Sequence, residues 1–345
     1  YYNSGSYNVY YGNKLVATIK DHNGGQGWGT ITYDQGLYHS SNVAICNLLD
    51  QGYVTKDVLT EKLNDLGFFQ GDTMDGLTCS SSINAYTRKN AGRLEYLTTG
   101  FGQGSTVTPY QLLKAYSVFG NDGKTVQPHI VDKVVNPETN KVVYQATPKY
   151  SKQIFSTNTI SQVKDLMLGV IEDEQGTGKI YRLDNDVRMI GKTGTGQVVE
   201  NGGYSATLYM HSFVGIAPYD DPQVVMFLTF KSGDSYAQYM PNIVKQTMNE
   251  ALQVVNRYNA KNTTTVDQSY TLDSYTNQSI NYVKSKLESK SLSVQIIGNG
   301  SSVIEQYPLA KSKVTSGDKV FIKTEGKDIT LPNLIGWSKK EVQTY

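Results

Sequence analysis

Gly191-Lys192-Thr193-Gly194-Thr195-Gly196-Gln197 places an ammonium and two hydroxyls on a glycine-rich stretch of backbone. A lysine beside a hydroxyl, where glycine lets a ligand come close, suits a site for a carboxylate and a developing oxyanion. The stretch follows a strand-like pattern and precedes an Asn201-Gly202-Gly203 turn. Lys231-Ser232-Gly233 repeats the K-[ST]-G pattern, so by itself the motif also fits a strand edge meeting solvent. A second polar cluster, His39-Ser40-Ser41-Asn42, leads into Val43, Ala44, Ile45, Leu48 and Leu49 at helical spacing. Its bland interpretation is a helix N-cap at Ser41 or Asn42. Gly176-Thr177-Gly178-Lys179 begins like a phosphate loop, but Ile180 follows the lysine and the leading glycine is missing. That possibility is discarded. Cys46 and Cys79 form no CxxC and accompany only His22, His39, His129 and His211, which argues against a zinc site. The two cysteines can pair in an oxidising compartment or stay as buried thiols; both remain open.

The elements that position such groups must come from 345 residues, more than one core usually holds, so at least two folding units are expected. Lys plus Arg is 32 against 31 for Asp plus Glu, a net charge of +1 that excludes the broad basic face nucleic acid requires. Charged residues are 18%, with 26 Tyr against 9 Phe. Such a weakly charged, aromatic chain can bury a core, which excludes global disorder. No apolar run nears the roughly 18 residues of a membrane span. Val224 to Leu228, one of the longest, reads as a buried strand. The chain opens on Tyr1-Tyr2-Asn3-Ser4 without an initiator Met or a leader, so we expect any signal or anchor to lie upstream.

From about residue 30 to 258, helical and strand patterns alternate. Thr108-Pro109-Tyr110-Gln111 combines a cap, a proline at the first helical position and Gln at capping-box spacing. Leu112, Leu113, Ala115, Tyr116 and Phe119 continue that helix to Gly120-Asn121-Asp122-Gly123. Ile243, Val244, Met248, Ala251, Leu252 and Val255 predict another. Arg188 to Ile190, Phe213 to Ala217 and Val224 to Phe230 predict strands joined by short turns, hence an antiparallel sheet flanked by helices.

Residues 256–269 lack apolar periodicity and read as a linker, placed most narrowly at 259–269. A small unit over 270–326 follows. Ile280, Val283 and Leu287 predict its helix, while Leu292, Val294 and Ile296, Val303 to Gln306 and Val320 to Ile322 predict strands. Leu272, Ile280, Val283, Leu287, Val294, Ile296, Val303, Val320 and Ile322 are expected to form its core. Thr271-Leu272, Ser279 and Val283 recur as Thr330-Leu331, Ser338 and Val342, so 327–345 reads as a second copy cut short. Leu331, Leu334 and Trp337 of that copy are expected to dock on a neighbour.

Order and spacing change the odds on the two polar clusters. S-x-N ahead of K-T-G, with S-x-x-K ahead of both, is the signature of serine acyltransferases that bind penicillin. Thr98-Thr99-Gly100-Phe101-Gly102-Gln103-Gly104, Val107-Thr108-Pro109-Tyr110-Gln111 and Pro128-His129-Ile130 resemble class B penicillin-binding proteins. Gly176-Thr177-Gly178 ahead of Lys192 and Phe213-Val214-Gly215-Ile216-Ala217-Pro218 behind it extend the resemblance over about 30–255. The small repeats look like PASTA modules, through Gly298-Asn299-Gly300, Gln306-x-Pro308 and Ser316-Gly317-Asp318-Lys319-Val320.

The resemblance implies an α/β (α+β) transpeptidase fold over 1–258 and a division-type peptidoglycan D,D-transpeptidase of Gram-positive bacteria. It implies peptidoglycan stem peptides, β-lactam antibiotics and division-machinery proteins as partners, and the outer face of the cell membrane as the location. In that picture Ser40 relays a proton towards the leaving amine and Asn42 holds the donor amide. Lys192 raises the local positive potential and orients Ser40. Thr193 binds the terminal carboxylate, Gly194 lets backbone approach, Thr195 lends its N–H to the oxyanion, and Gln197 lines the cleft. Neither a metal nor an organic cofactor is needed. One departure stands out: residues 1–39 contain no S-x-x-K. Ser161-Gln162-Val163-Lys164 and Ser316-Gly317-Asp318-Lys319 match it, but both follow S-x-N and read as chance. The nucleophile is therefore expected upstream of Tyr1, and the chain itself to be inactive. The alternatives are a β-lactam-sensing receptor of the same fold and a non-catalytic wall-binding protein.

Overall fold

A computed structural model describes the chain except residues 72, 81, 185–186, 201, 234–238, 263–268, 291, 316, 327–333, 335–336 and 338. It divides into two compact units, residues 1–248 and 249–345.

The first unit opens with β1 (Tyr2–Asn3), the hairpin β2 (Ser6–Tyr11) and β3 (Lys14–Lys20), and β4 (Gly29–Thr30), which pairs with β1. Helices α1 (Tyr33–Tyr38) and α2 (Asn42–Asp50) follow, then α3 (Lys56–Asp65), hairpin β5 (Thr73–Met74) and β6 (Leu77–Thr78), α4 (Arg93–Gly100) and α5 (Pro109–Tyr116). Thr108 and Gln111 cap α5 reciprocally, as their spacing predicts. The α-helix stops at Tyr116 and tightens into a 3₁₀ turn over Ser117–Gly120, slightly short of the predicted end. A hairpin of β7 (Lys133–Val135) and β8 (Val142–Gln145) precedes α6 (Thr157–Glu172), which Ser156 caps.

The sheet that frames the site is antiparallel, in the order β11 (Val224–Ser232), β10 (Gly203–Ala217), β9 (Ile190–Glu200). Its face towards α6 buries Ile190, Val214 and Ile216 with Met167. Each such aliphatic contributes about 1.5–3 kcal/mol on leaving water. Lys192 stands opposite Val214 on β10, and Thr195 opposite His211. Among the described residues the outer edge of β9 pairs with no strand.

Two expectations are corrected in this unit and at its end. Arg188 and Met189 are irregular, and the glycine-rich motif is itself the strand. The ladder to β10 sustains it, and at Gly194 a Cβ would come within 2.5 Å of Ser212 Oγ, so a larger residue there would have to turn that side chain. Helix α7 (Met240–Asn262) runs past Val255, so residues 256–262 are helical rather than linker. Apolar periodicity ends before the helix does, and no Pro or Gly stops it. Residues 263–268 lie outside the described residues.

The second unit pairs β12 (Ser269–Thr271) with β15 (Lys313–Thr315). It sets α8 (Ile280–Glu288) beside the sheet β13 (Ser293–Ile297), β16 (Lys319–Thr324), β14 (Val303–Tyr307). Its core is Leu272, Tyr275, Val283, Leu287, Leu292, Val303, Val314, Val320 and Ile322, with Ile280 and Val294 partly buried against it. Ile296, expected inside, is 40% exposed, and Tyr275 and Val314 fill the core instead. Trp337 packs edge-on against Phe321 of β16 at 5.7 Å, under the Lys319 ammonium, which pairs with Glu341 of α9 (Lys339–Thr344) at 3.0 Å. Docking of the tail thus holds for Trp337; Leu331 lies outside the described residues.

Candidate active site

Helices α1 and α2 are joined by three residues with three different tasks. His39 is the C-cap of α1 and stacks on Trp28, ring centroids 4.5 Å apart and planes within 6°. Ser41 is the N-cap of α2, its hydroxyl accepting the Ala44 N–H at 3.0 Å. Ser40 caps neither helix. It sits at φ 54°, a left-handed conformation that non-glycine residues adopt at a cost and that recurs at functional positions.

This junction is fastened from below by Asp21, which is 2% exposed. Its carboxylate accepts Asn3 Nδ2 at 2.9 Å, Ser41 Oγ at 3.0 Å and the Val43 N–H at 3.1 Å. Neither Asp21 nor Asn3 carries a sequence signal, since one is a lone polar residue just past β3 and the other ends a two-residue strand.

Across the groove, Lys192 Nζ donates to Ser40 Oγ at 2.6 Å and to the Thr193 carbonyl at 2.8 Å. A residue pair 152 positions apart in sequence is thereby joined by a charge-assisted hydrogen bond. Desolvation of its ammonium lowers the Lys192 pKa to about 8. A lysine held there exchanges its proton near neutral pH, which suits a proton relay. Burial also lowers His22 and His39, and the charges of Lys192 and His39 add to the effect at His22.

The depressed lysine makes a stability prediction. Between a folded value near 8 and an unfolded value near 10.4, the unfolded chain holds the proton that the folded chain has lost. Folding therefore gains as pH rises through this window. Relative to Lys192→Met, wild-type stability in urea should climb by about 2 kcal/mol from pH 7 to 9.5. Parallel pH profiles of the two proteins would refute the assignment.

The other residues singled out from sequence are placed less uniformly. Asn42 opens α2, but its Nδ2 donates to the Lys20 carbonyl at 2.9 Å, tying α2 to β3. The Thr193 hydroxyl lies 2.8 Å from that of Thr177. Gly194 is half-buried and Thr195 is exposed, both on β9. Gln197 is exposed further along, donating to the Ser205 carbonyl at 3.3 Å. Lys231 stands on β11, the far edge of the sheet, 3.5 Å from Glu200. Ser161 is exposed on α6, and Lys164 lies over the Tyr219 ring, so that S-x-x-K faces solvent. Ser316 lies outside the described residues. Cys46 is buried, Cys79 half-buried, and both are free thiols. Among the described residues no cluster of His, Cys, Asp and Glu could hold a metal, and no helix is long and apolar enough to cross a membrane.

The family profile described as penicillin binding protein transpeptidase domain matches residues 2–253, and the PASTA domain profile matches 270–326. Stage V sporulation protein D of Bacillus subtilis is 29% identical over 316 residues, 88% of this chain and 47% of that protein. The peptidoglycan D,D-transpeptidase FtsI homolog of Mesostigma viride is 28% identical over 203 residues, 55% of this chain and 33% of that protein. The chain thus spans less than half the length of these curated relatives. Penicillin-binding protein 2X from Streptococcus thermophilus superposes with a TM-score of 0.63 at 23% identity, over 100% of this chain and 51% of that one. Penicillin-binding protein 3 from Mycobacterium tuberculosis, complexed with aztreonam, gives 0.61 at 24% identity over 72% and 57%. These two likenesses speak to the fold.

Proposed function

We propose, from the fact that the chain belongs to the penicillin-binding protein transpeptidase family, that it forms one wall of a serine acyl-transfer site. The whole protein then cross-links peptidoglycan stem peptides as a D,D-transpeptidase. The observation that carries this is the Lys192–Ser40 hydrogen bond, which joins the S-x-N and K-T-G motifs across one groove.

In the reaction, a serine hydroxyl attacks the carbonyl between the last two D-alanines of a stem peptide. An ester forms, the peptide C–N bond breaks, and D-alanine leaves with a proton on its nitrogen. Ser40, held by Lys192, passes that proton to the leaving amine. Thr193 receives the terminal carboxylate, and the Thr195 N–H supplies one oxyanion donor. The edge of β9, which no strand among the described residues covers, offers backbone groups along which the extended donor peptide can lie as an added strand. Asn42 shares its amide between the Lys20 carbonyl and the donor. β-Lactams occupy the same groove, a view supported by the aztreonam complex of the structural relative. A septal or sporulation role in a Gram-positive bacterium, beside division-machinery proteins at the outer membrane face, is supported by the 88% overlap with the sporulation protein and by the PASTA match.

In this proposal the attacking serine is not among residues 1–345, since no S-x-x-K precedes Ser40 in them. The 345-residue chain should therefore form no covalent adduct with a fluorescent penicillin. A band that survives denaturing electrophoresis would name a nucleophile within the chain and overturn the proposed division of labour. Restoring labelling by fusing an S-x-x-K segment ahead of Tyr1 tests the positive half.

A further inference from the structure

Ser40 and Lys192 lie on separate elements, so their 2.6 Å contact needs something that fixes the width of the groove. Thr177 touches both sides. Its backbone N–H donates to the Tyr38 carbonyl at the end of α1, 3.0 Å away and two residues before Ser40. Its hydroxyl lies 2.8 Å from the Thr193 hydroxyl, next to Lys192 on β9. Lys192 closes the circuit, donating to the Thr193 carbonyl on one side and to Ser40 on the other. The ring of contacts runs Tyr38, Thr177, Thr193, Lys192, Ser40 and back along the chain to Tyr38.

Helix α6 holds this ring still. The Gly178 N–H donates to the Val170 carbonyl at 3.0 Å. A Cβ at Gly176 would lie 2.3 Å from the Val170 carbonyl oxygen, and one at Gly169 would lie 2.3 Å from the Tyr38 ring. At Gly176, where the clash is with backbone, only glycine permits the approach. The Gly-Thr-Gly turn is thus pressed onto α6, with Thr177 as its one side chain facing the groove wall.

We propose that Thr177 is a positioning residue: its N–H sets the Ser40 loop, and its hydroxyl aims the Thr193 hydroxyl at an incoming carboxylate. The carboxylate rests on the function proposed above; the clamp itself does not. Thr177→Val keeps the shape and the N–H but removes the hydroxyl, whereas Thr177→Ser keeps both hydrogen-bonding groups.

Two measurements separate the clamp from the function. In the 345-residue chain, NMR titration of ¹³C-labelled lysine side chains, with Lys192 assigned by its loss in Lys192→Met, reads the groove directly. Thr177→Val should raise the Lys192 pKa by about half a unit or more as water reaches a loosened ammonium, and Thr177→Ser should leave it in place. Thr193→Val, which breaks the same contact from the other side, should raise it too, and the double variant no further. In a chain carrying S-x-x-K ahead of Ser40, Thr177→Val should lower the second-order acylation rate with a carboxylate-bearing β-lactam about tenfold. That loss should sit mainly in the concentration dependence, and Thr177→Ser should restore it. If no S-x-x-K chain acylates at all, the function fails while the titration still judges the clamp. A Lys192 titration unchanged in both valine variants would overturn the proposal.

Discussion

Replacing Lys192 by Ala, in a chain that carries an S-x-x-K ahead of Ser40, should slow acylation by penicillin about 100- to 1000-fold. Two losses combine. The substitution removes a desolvated positive charge from the groove, and that ammonium alone among the described contacts orients the Ser40 hydroxyl, at 2.6 Å. Lys192→Arg should rescue little, since a planar guanidinium cannot occupy a site shaped for a point charge. Lys231→Ala is the control. That lysine shares the K-[ST]-G pattern but sits on the opposite edge strand beside Glu200, and its loss should leave the rate within a few-fold of wild type. Stopped-flow acylation decides it, and equal damage at both lysines would move the site to β11.

The largest effect on stability should come from a residue without any catalytic task. Asp21→Ala should destabilise the first unit by about 3–5 kcal/mol. The buried carboxylate satisfies Asn3 Nδ2, Ser41 Oγ and the Val43 N–H together, and alanine would leave three donors buried without their acceptor. Asp21→Asn should cost clearly less, because one side-chain oxygen remains. Urea denaturation followed by far-UV circular dichroism gives both values. A loss below about 1 kcal/mol for the alanine variant would show that water or a rearranged Asn3 replaces the carboxylate.

What could be read from sequence depended on whether a signal repeats along the chain. The cap and periodicity of α5, the strands Phe213 to Ala217 and Val224 to Phe230, and the helix Ile280 to Leu287 all reappear in the structure. Single residues that act through tertiary contact left no such trace. Asp21 is a lone polar residue past β3 and Asn3 ends a two-residue strand, while Thr177 stood out only within a discarded phosphate-loop pattern and a family likeness. The pairing of Ser40 with Lys192 is a contact between distant segments, which local propensity cannot encode. Only the family resemblance, through the order of the motifs, implied that Lys192 orients Ser40, and the structure gives that contact as a hydrogen bond. Strand alternation correctly chose Val294 for the inner face, but it continued one step too far at Ile296, where the strand end is no longer covered.

The open edge of β9 has a further consequence for the protein as a material. Backbone donors and acceptors recognise any extended chain, including a second copy of this one. Gly191, Gly194 and Gly196 thin the side chains along that rim, and it is free of proline, so its backbone groups stay open to a further strand. On the function proposed above, a donor peptide laid along this edge would also cover the backbone groups that a second copy could pair with.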